Sequence, residues 1–572
     1  MSLLRHLIAL VPLAALGACA TPAAKAPEAP VAAIAPQTAD DASPYGLFLA
    51  GRAAMNQGRS DSAAGYFGRA ARADDDARFL ADRAFTASLL AGDVKAAAAL
   101  APTADDSEPA VLRLGALVRG VEALAEGKNK QARDILSGPQ VGYPHKAAAA
   151  LLAPWAAAAA GDAAASVVHP SLPNEPIAQF FGNLGQARLF ERARRYDESE
   201  TGYKALIGGG DPGGLATLGL GAMLERRGRQ ADAVAAYDQA LARNPQDSAV
   251  SAARARAAAK KPAPAMLTIR QSAAEALMAP AAALLMQKQQ DVALAYLRLA
   301  LRLDPSRDEA WVLVGDIMGS GGDPDSARAA YLRPKPGSDQ FVGARGKLAW
   351  SYQSAGDKES ALRIARETVS IMPASREAAV TLADILRADE RYEESAKVLD
   401  ALIAAKSEAP DWRLLYMRAV AYEESDHWAQ AEADLQAALK LRPDEPELLN
   451  FLGYSWIDRG EHLDEAMAMA KKAVSLNPQS GAMIDTLGWG YYRIGDYKSA
   501  VEQLETAVVL EPSDPDVNNH LGDAYWRVGR KTEAQFQWRR VLTLDPPAKT
   551  RADAEAKLKS GLTTPPARVA GS

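Results

Sequence analysis

Six histidines, one cysteine and a few acidic runs are the side chains of this sequence best suited to chemistry. His6, His145, His169, His427, His462 and His520 form no H-E-x-x-H pair, the spacing that sets two imidazoles on one helix face around zinc. His462-Leu463-Asp464-Glu465 reads as a loop entering a helix. Gly127-Lys128 and Gly346-Lys347 lack the upstream glycine and the Ser or Thr of a phosphate-cradling loop. No G-x-S-x-G elbow presents a nucleophilic serine. Asp74-Asp75-Asp76 and the group Asp105, Asp106 and Glu108 lack the spacing of a calcium loop and read as solvated turns. With Cys19 as its single cysteine, the chain forms neither an internal disulfide nor a Cys-ligated zinc site. No catalytic residue, metal or cofactor is expected, and no stretch outside the helical pattern is long enough to house an enzyme domain.

Cys19 is placed for another chemistry. Arg5 supplies a positive start, and Leu7 to Leu16 form an apolar run too short to span a bilayer. Leu16-Gly17-Ala18 then lead into Cys19. This resembles the lipobox of bacterial lipoproteins. The resemblance implies cleavage before Cys19, a thioether to diacylglycerol on its sulfur, and stable anchoring by several acyl chains. Residues 1–18 are then a signal peptide. Ala20, where that family uses Asp for inner-membrane retention, implies an outer-membrane anchor facing the periplasm. Residues 19–43 carry the lipidated Cys and an Ala/Pro-rich stretch, read as a semi-rigid tether.

The remaining elements read as helices. Alanine is abundant, aromatics are only 6 %, and alternating β-branched runs are nearly absent, which points to an all-α chain. A net charge of −6 is not the basic footprint that binding phosphates requires, so nucleic acid is not an expected partner. The chain exceeds the size at which one core stops growing, so repetition is expected.

A pattern recurs at about 34 residues. Leu487-Gly488, Tyr491, Ala500, Leu504, Ala507 and Pro512 are followed in frame by Leu521-Gly522, Tyr525, Ala534, Trp538 and Pro546. Leu452-Gly453, Trp456, Ala466, Ala473 and Pro478 precede them, with one extra residue near His462. Small residues allow two helices to cross closely, large ones fill the gap to the next repeat, Pro ends the second helix, and Gly495-Asp496 or Gly529-Arg530 turns the chain. These units resemble tetratricopeptide repeats. The resemblance implies a right-handed α-solenoid superhelix of helical hairpins with a concave groove lined by first helices, each repeat touching mainly its neighbours. Weaker matches upstream bring the estimate to about eleven hairpins. The division expected is 44–270 degenerate helical repeats, 271–411 tetratricopeptide-like repeats, 412–548 regular repeats and 549–572 a C-terminal tail.

Counting in the repeat frame places Asn450, Tyr454, Asp485, Trp489, Tyr492, Arg493, Asn519, Asp523, Trp526 and Arg527 on the concave face. Amides bond an extended backbone in both directions, and aromatics with Arg dominate binding hot spots. The segments LLNFLGYSWIDRGEHLDEA, DTLGWGYYRIGDY and NNHLGDAYWRVGR, together with the lipobox, resemble outer-membrane repeat lipoproteins. Within that group the layout is similar to the adaptor of a periplasmic carboxyl-terminal processing protease. That resemblance implies a scaffold that recruits the protease and its peptidoglycan hydrolase substrates. The alternative is an assembly factor for an envelope secretion, pilus or polysaccharide-export complex.

Overall fold

The computed structural model describes residues 43–73, 78–103, 108–172, 175–405 and 411–562, and every element among them is helical. The chain divides into two compact units, Met1–Ser351 and Tyr352–Ser572. The same hairpin register recurs in each.

The register rests on one contact. A small residue in the first helix faces a large one at i+16 in the second. Gly51 lies on Phe67, Gly120 on Leu136, Gly221 on Tyr237, Gly315 on Tyr331, Gly488 on Leu504 and Gly522 on Trp538. A Cβ added at any of these glycines would stand 2.2–2.7 Å from that side chain. Alanine takes the small position opposite Tyr203, Leu399 and Leu435, at Ala187, Ala383 and Ala419. A second small residue at i+12 is fully buried, as at Ala63, Ala132, Ala233, Ala500 and Ala534. The large residue closes its own hairpin and also reaches onward: Tyr203 lies against Gly219 of the following hairpin.

The turn obeys the register too. At i+7 the chain enters the left-handed region, with φ of 72–89° at Gly58, Gly127, Gly228, Gly322, Gly495 and Gly529. Glycine adopts this conformation without a Cβ clash. Arg194, Lys288, Glu390 and Asp426 hold the same place at φ 59–61°. Where Asp follows, it caps the second helix. Asp93, Asp162, Asp323, Asp357 and Asp496 each accept a bond from the backbone N–H three residues on, at 2.9–3.2 Å. The register is therefore clearer in 44–243 than the motifs there indicate. It breaks at 246–268, where a lone helix, Ser248–Ala258, leads into a non-helical run over 261–268.

The first unit departs from nearest-neighbour stacking. Its helix Gln290–Leu303 buries Leu294, Tyr296, Leu297, Leu299, Leu301 and Leu303, apolar over most of its circumference with Arg298 and Arg302 on the remaining stripe, so it needs cover on most sides. Distant hairpins supply that cover. Arg302 makes a bidentate pair with Glu122 (2.7 and 2.8 Å), Arg298 donates to the Leu90 carbonyl (2.9 Å), and Tyr296 Oη lies 2.7 Å from His145 Nδ1. Arg270 Nη1 donates to the Ala125 carbonyl at 3.1 Å. The expectation that each repeat touches mainly its neighbours thus fails for this helix. In the second unit, aromatic-rich clusters run from Ala419 to Leu487 and from Tyr492 to Ala554. The C-terminal stretch, whose start reads from sequence as a fraying helix, forms the helix Ala548–Ser560, and its Ala554 is buried in the second of these clusters.

Three substitutions test the register by chemical denaturation. Gly522→Ala, which drives a Cβ into the buried indole of Trp538, is expected to cost about 1–3 kcal/mol. Gly65→Ala, in the exposed interior of Ser60–Ala73 with no atom near the new Cβ, is expected to add roughly 0.5–1 kcal/mol. Lys288→Gly relieves a left-handed backbone and is expected to add roughly 1 kcal/mol. A Gly522→Ala protein as stable as the parent would refute the steric basis of the register.

Candidate protein-docking face

The site is built on the first helices Pro446–Arg459, Gly481–Arg493 and Pro515–Arg527, with Ala548–Ser560 stacked after them. Stacking sets residues one repeat apart on these helices side by side, so their polar groups bond to one another. Arg527 Nε donates to Tyr492 Oη at 3.2 Å. Asn519 Nδ2 donates to Asp553 at 2.9 Å, and Lys557 Nζ donates to Asp523 at 2.8 Å and to Asn519 Oδ1 at 3.1 Å. Arg493 Nη1 donates to the Asp458 carbonyl at 2.5 Å, and Trp489 Nε1 to the Asp458 carboxylate at 3.4 Å.

His520 is the centre of this arrangement. Its Nδ1 donates to Asp485, 2.9 and 3.0 Å from the two carboxylate oxygens. Its ring stacks on Trp489 at 4.2 Å, and the other face of the layer is Tyr492, stacked on Trp489 at 4.7 Å. Tyr454 flanks the imidazole at 6.4 Å. Burial alone would lower the His520 pKa. The charge and hydrogen bond of Asp485, helped by Asp516 and Asp523, outweigh that and hold it above the ordinary histidine value. Burial pushes the Asp523 carboxyl up, countered in part by Lys557, and Trp538 Nε1 donates to it at 3.0 Å. Burial, with Asp523 nearby, pushes the Tyr492 hydroxyl up to about 12.

Of the residues expected on the concave face, Asp485, Tyr492, Asn519 and Asp523 are buried, because each faces the adjacent repeat. The Asn519 amide is used in both directions within the fold. Tyr454, Trp489, Arg493, Trp526 and Arg527 remain partly exposed. Trp526 packs on Trp538 at 5.3 Å and on the backbone of Gly561. Asn450 stands apart, partly exposed, with its Oδ1 buried and without a hydrogen-bond partner. Cys19 lies outside the described residues. Sequence reasoning missed His520, Asp458, Asp553 and Lys557 as members. A search for complementary side chains one repeat apart would have found them, since 458 and 493, 485 and 520, 519 and 553, and 523 and 557 are each separated by one period. Among the described residues no group of acidic, His and Cys side chains is arranged to hold a metal ion.

Models of the tetratricopeptide repeat match residues 184–248, 347–410, 416–481 and 515–547, and a further TPR repeat model matches 490–529. The chain therefore contains tetratricopeptide repeats. A TPR repeat-containing protein of Pseudomonas aeruginosa is 30 % identical over 190 residues, 32 % of this chain and 31 % of that protein. The human protein O-mannosyl-transferase TMTC1 is 26 % identical over 161 residues, 27 % of this chain and 18 % of that protein. The chain thus spans less than a third of the length of these relatives. Among solved structures, the APC/C hetero-tetramer Cut9-Hcn1 aligns over 90 % of this chain and 96 % of that one, with 15 % identity and a TM-score of 0.37.

The His520–Asp485 pair sets a pH dependence. A histidine with a raised folded pKa contributes stability that is complete below its unfolded value of about 6.5 and is lost as pH rises through the folded value. The thermal midpoint of the C-terminal repeats is expected to fall over that window, and His520→Gln to flatten the fall. Identical pH profiles for the two proteins would remove His520 from this role.

Proposed function

We propose that this tetratricopeptide-repeat protein is a lipid-anchored periplasmic scaffold that docks protein partners on the first helices of its C-terminal repeats. The observation that carries the reading is the polar network just described. It ties Trp489, Arg493 and Arg527 by hydrogen bonds to neighbouring repeats while leaving them partly exposed, with Tyr454 beside them. Rigid aromatic and Arg side chains lose little entropy on binding and make effective anchors. Stacked repeats place such anchors along a face long enough to hold an extended partner.

The address comes from Leu16-Gly17-Ala18-Cys19, which supports acylation of Cys19 and an outer-membrane anchor with the repeats facing the periplasm. The partner class follows the resemblance to the lipoprotein adaptor of a carboxyl-terminal processing protease: the protease itself, with peptidoglycan hydrolases as its substrates. On this reading the scaffold does no chemistry and brings enzyme and substrate together by effective concentration.

Two experiments test it. Cys19→Ser is expected to move the protein from the detergent phase to the aqueous phase on phase separation; continued detergent partitioning would end the anchor reading. Residues 20–572 used as bait in envelope extract are expected to capture a carboxyl-terminal processing protease together with cell-wall hydrolases, and the variant Tyr454→Ala/Arg493→Ala to capture at least about fivefold less. Recovery of secretion or export components instead would make the chain an assembly factor.

A further inference from the structure

The first unit has a half-open pocket of about 320 Å³, separate from the docking face. It is at the lower end of the roughly 300–1,000 Å³ typical of small-molecule sites. Trp155, Leu215, Leu218 and Met266 give it apolar wall. The non-helical run 261–268 crosses it as a strap: the Pro264 carbonyl accepts from Arg226 Nη1 at 2.8 Å, and the Leu267 carbonyl from Arg192 Nη2.

The rest of the lining is charged, and most of it is internally neutralised. Glu191 takes two nitrogens of Arg226 at 2.8 Å each. Glu225 takes Arg256 at 2.7 Å. Glu275 takes Arg188 at 3.0 Å, with Arg307 at 3.8 Å. Two lining charges stand outside any ion pair among the described residues. Among the described residues Arg192 makes no ion pair; it donates to the strap carbonyl, and its buried Nε has no hydrogen-bond partner. Glu309, in the first turn of Asp308–Ser320, makes neither a hydrogen bond nor an ion pair among the described residues. A half-open pocket with one cation and one anion outside its ion pairs and an apolar wall is complementary to a molecule that carries both charges and an apolar side chain.

We propose that this cavity binds a short zwitterionic peptide of about dipeptide size, its carboxylate on Arg192, its ammonium on Glu309 and its apolar side chain against Leu215, Leu218 and Trp155. The strap covers the bound peptide. Arg192 Nε, which has no hydrogen-bond partner, takes the carboxylate while Nη2 keeps the strap carbonyl, so the buried donor is satisfied when the peptide enters. The inference stands apart from the docking reading, since no residue is shared.

The test is isothermal titration calorimetry on the mature chain with the dipeptide alanyl-leucine, its N-acetyl form and its C-terminal amide. Saturable binding of the free dipeptide is expected. Capping either end, or the variants Arg192→Gln and Glu309→Gln, is expected to weaken it about tenfold or more. Leu218→Trp, which fills the chamber from a partly exposed position, is expected to abolish binding with the helical circular dichroism retained. No saturable binding up to the solubility limit, binding unaffected by capping, or binding that survives Leu218→Trp would each overturn the proposal.

Discussion

The approach of a large side chain to a helix backbone bared by a small residue is the contact on which the remaining structure depends. Phe67 on Gly51, Tyr237 on Gly221 and Trp538 on Gly522 are the same event in different chemistry. It fixes how closely two helices cross and which faces they bury. It also fixes where the chain must reverse, because the left-handed turn falls at a constant distance from the small residue. Once hairpins share this geometry, stacking places equal positions of successive first helices next to one another. The ladder of bonds from Asp458 to Lys557 follows from that placement. Dispersion and burial set the frame, and hydrogen bonds decorate it.

One frame serves two architectures. In the second unit, first helices bond to their own and adjacent second helices and to the next first helix, and contacts stay local. In the first unit, a helix apolar over most of its circumference, Gln290–Leu303, is buried in part by hairpins far away in sequence. Long-range pairs such as Glu122 with Arg302 then tie separate hairpins into one body. Its cavity accompanies a second departure. The lone helix Ser248–Ala258 and the strap after it break the register, and a chamber lined by arginines and glutamates remains beneath them.

Part of the candidate site was legible in advance. Trp489, Tyr492, Asp485, Asn519 and Asp523 do gather on neighbouring first helices, as counting in the repeat frame implies. Their burial was not legible, because periodicity assigns a residue to a face of its own helix and is silent on the helix stacked beside it. His520 escaped notice for that reason: alone it resembles any core histidine, and only Asp485 one repeat earlier gives it a role. Lys557 was missed because AKTRADAEAKLKS carries no repeat signature, although its spacing from Asp523 is one period.

Composition and periodicity by themselves determined an all-helical chain of hairpins, the turns at Gly495 and Gly529 and the need for small residues where helices cross, since each depends on residues within about 34 positions of one another; that the large residue closes on the small one of its own hairpin came from the structure. Four left-handed turns without glycine, at Arg194, Lys288, Glu390 and Asp426, show that the packing register dictates the backbone even where the local residue disfavours it. The return of Gln290–Leu303 onto distant hairpins, the burial of the acidic first-helix residues and the unmatched charges of Arg192 and Glu309 were decided only by the tertiary structure. These depend on which surfaces meet across more than a hundred residues of chain, or across the seam between repeats, and no local pattern encodes that meeting.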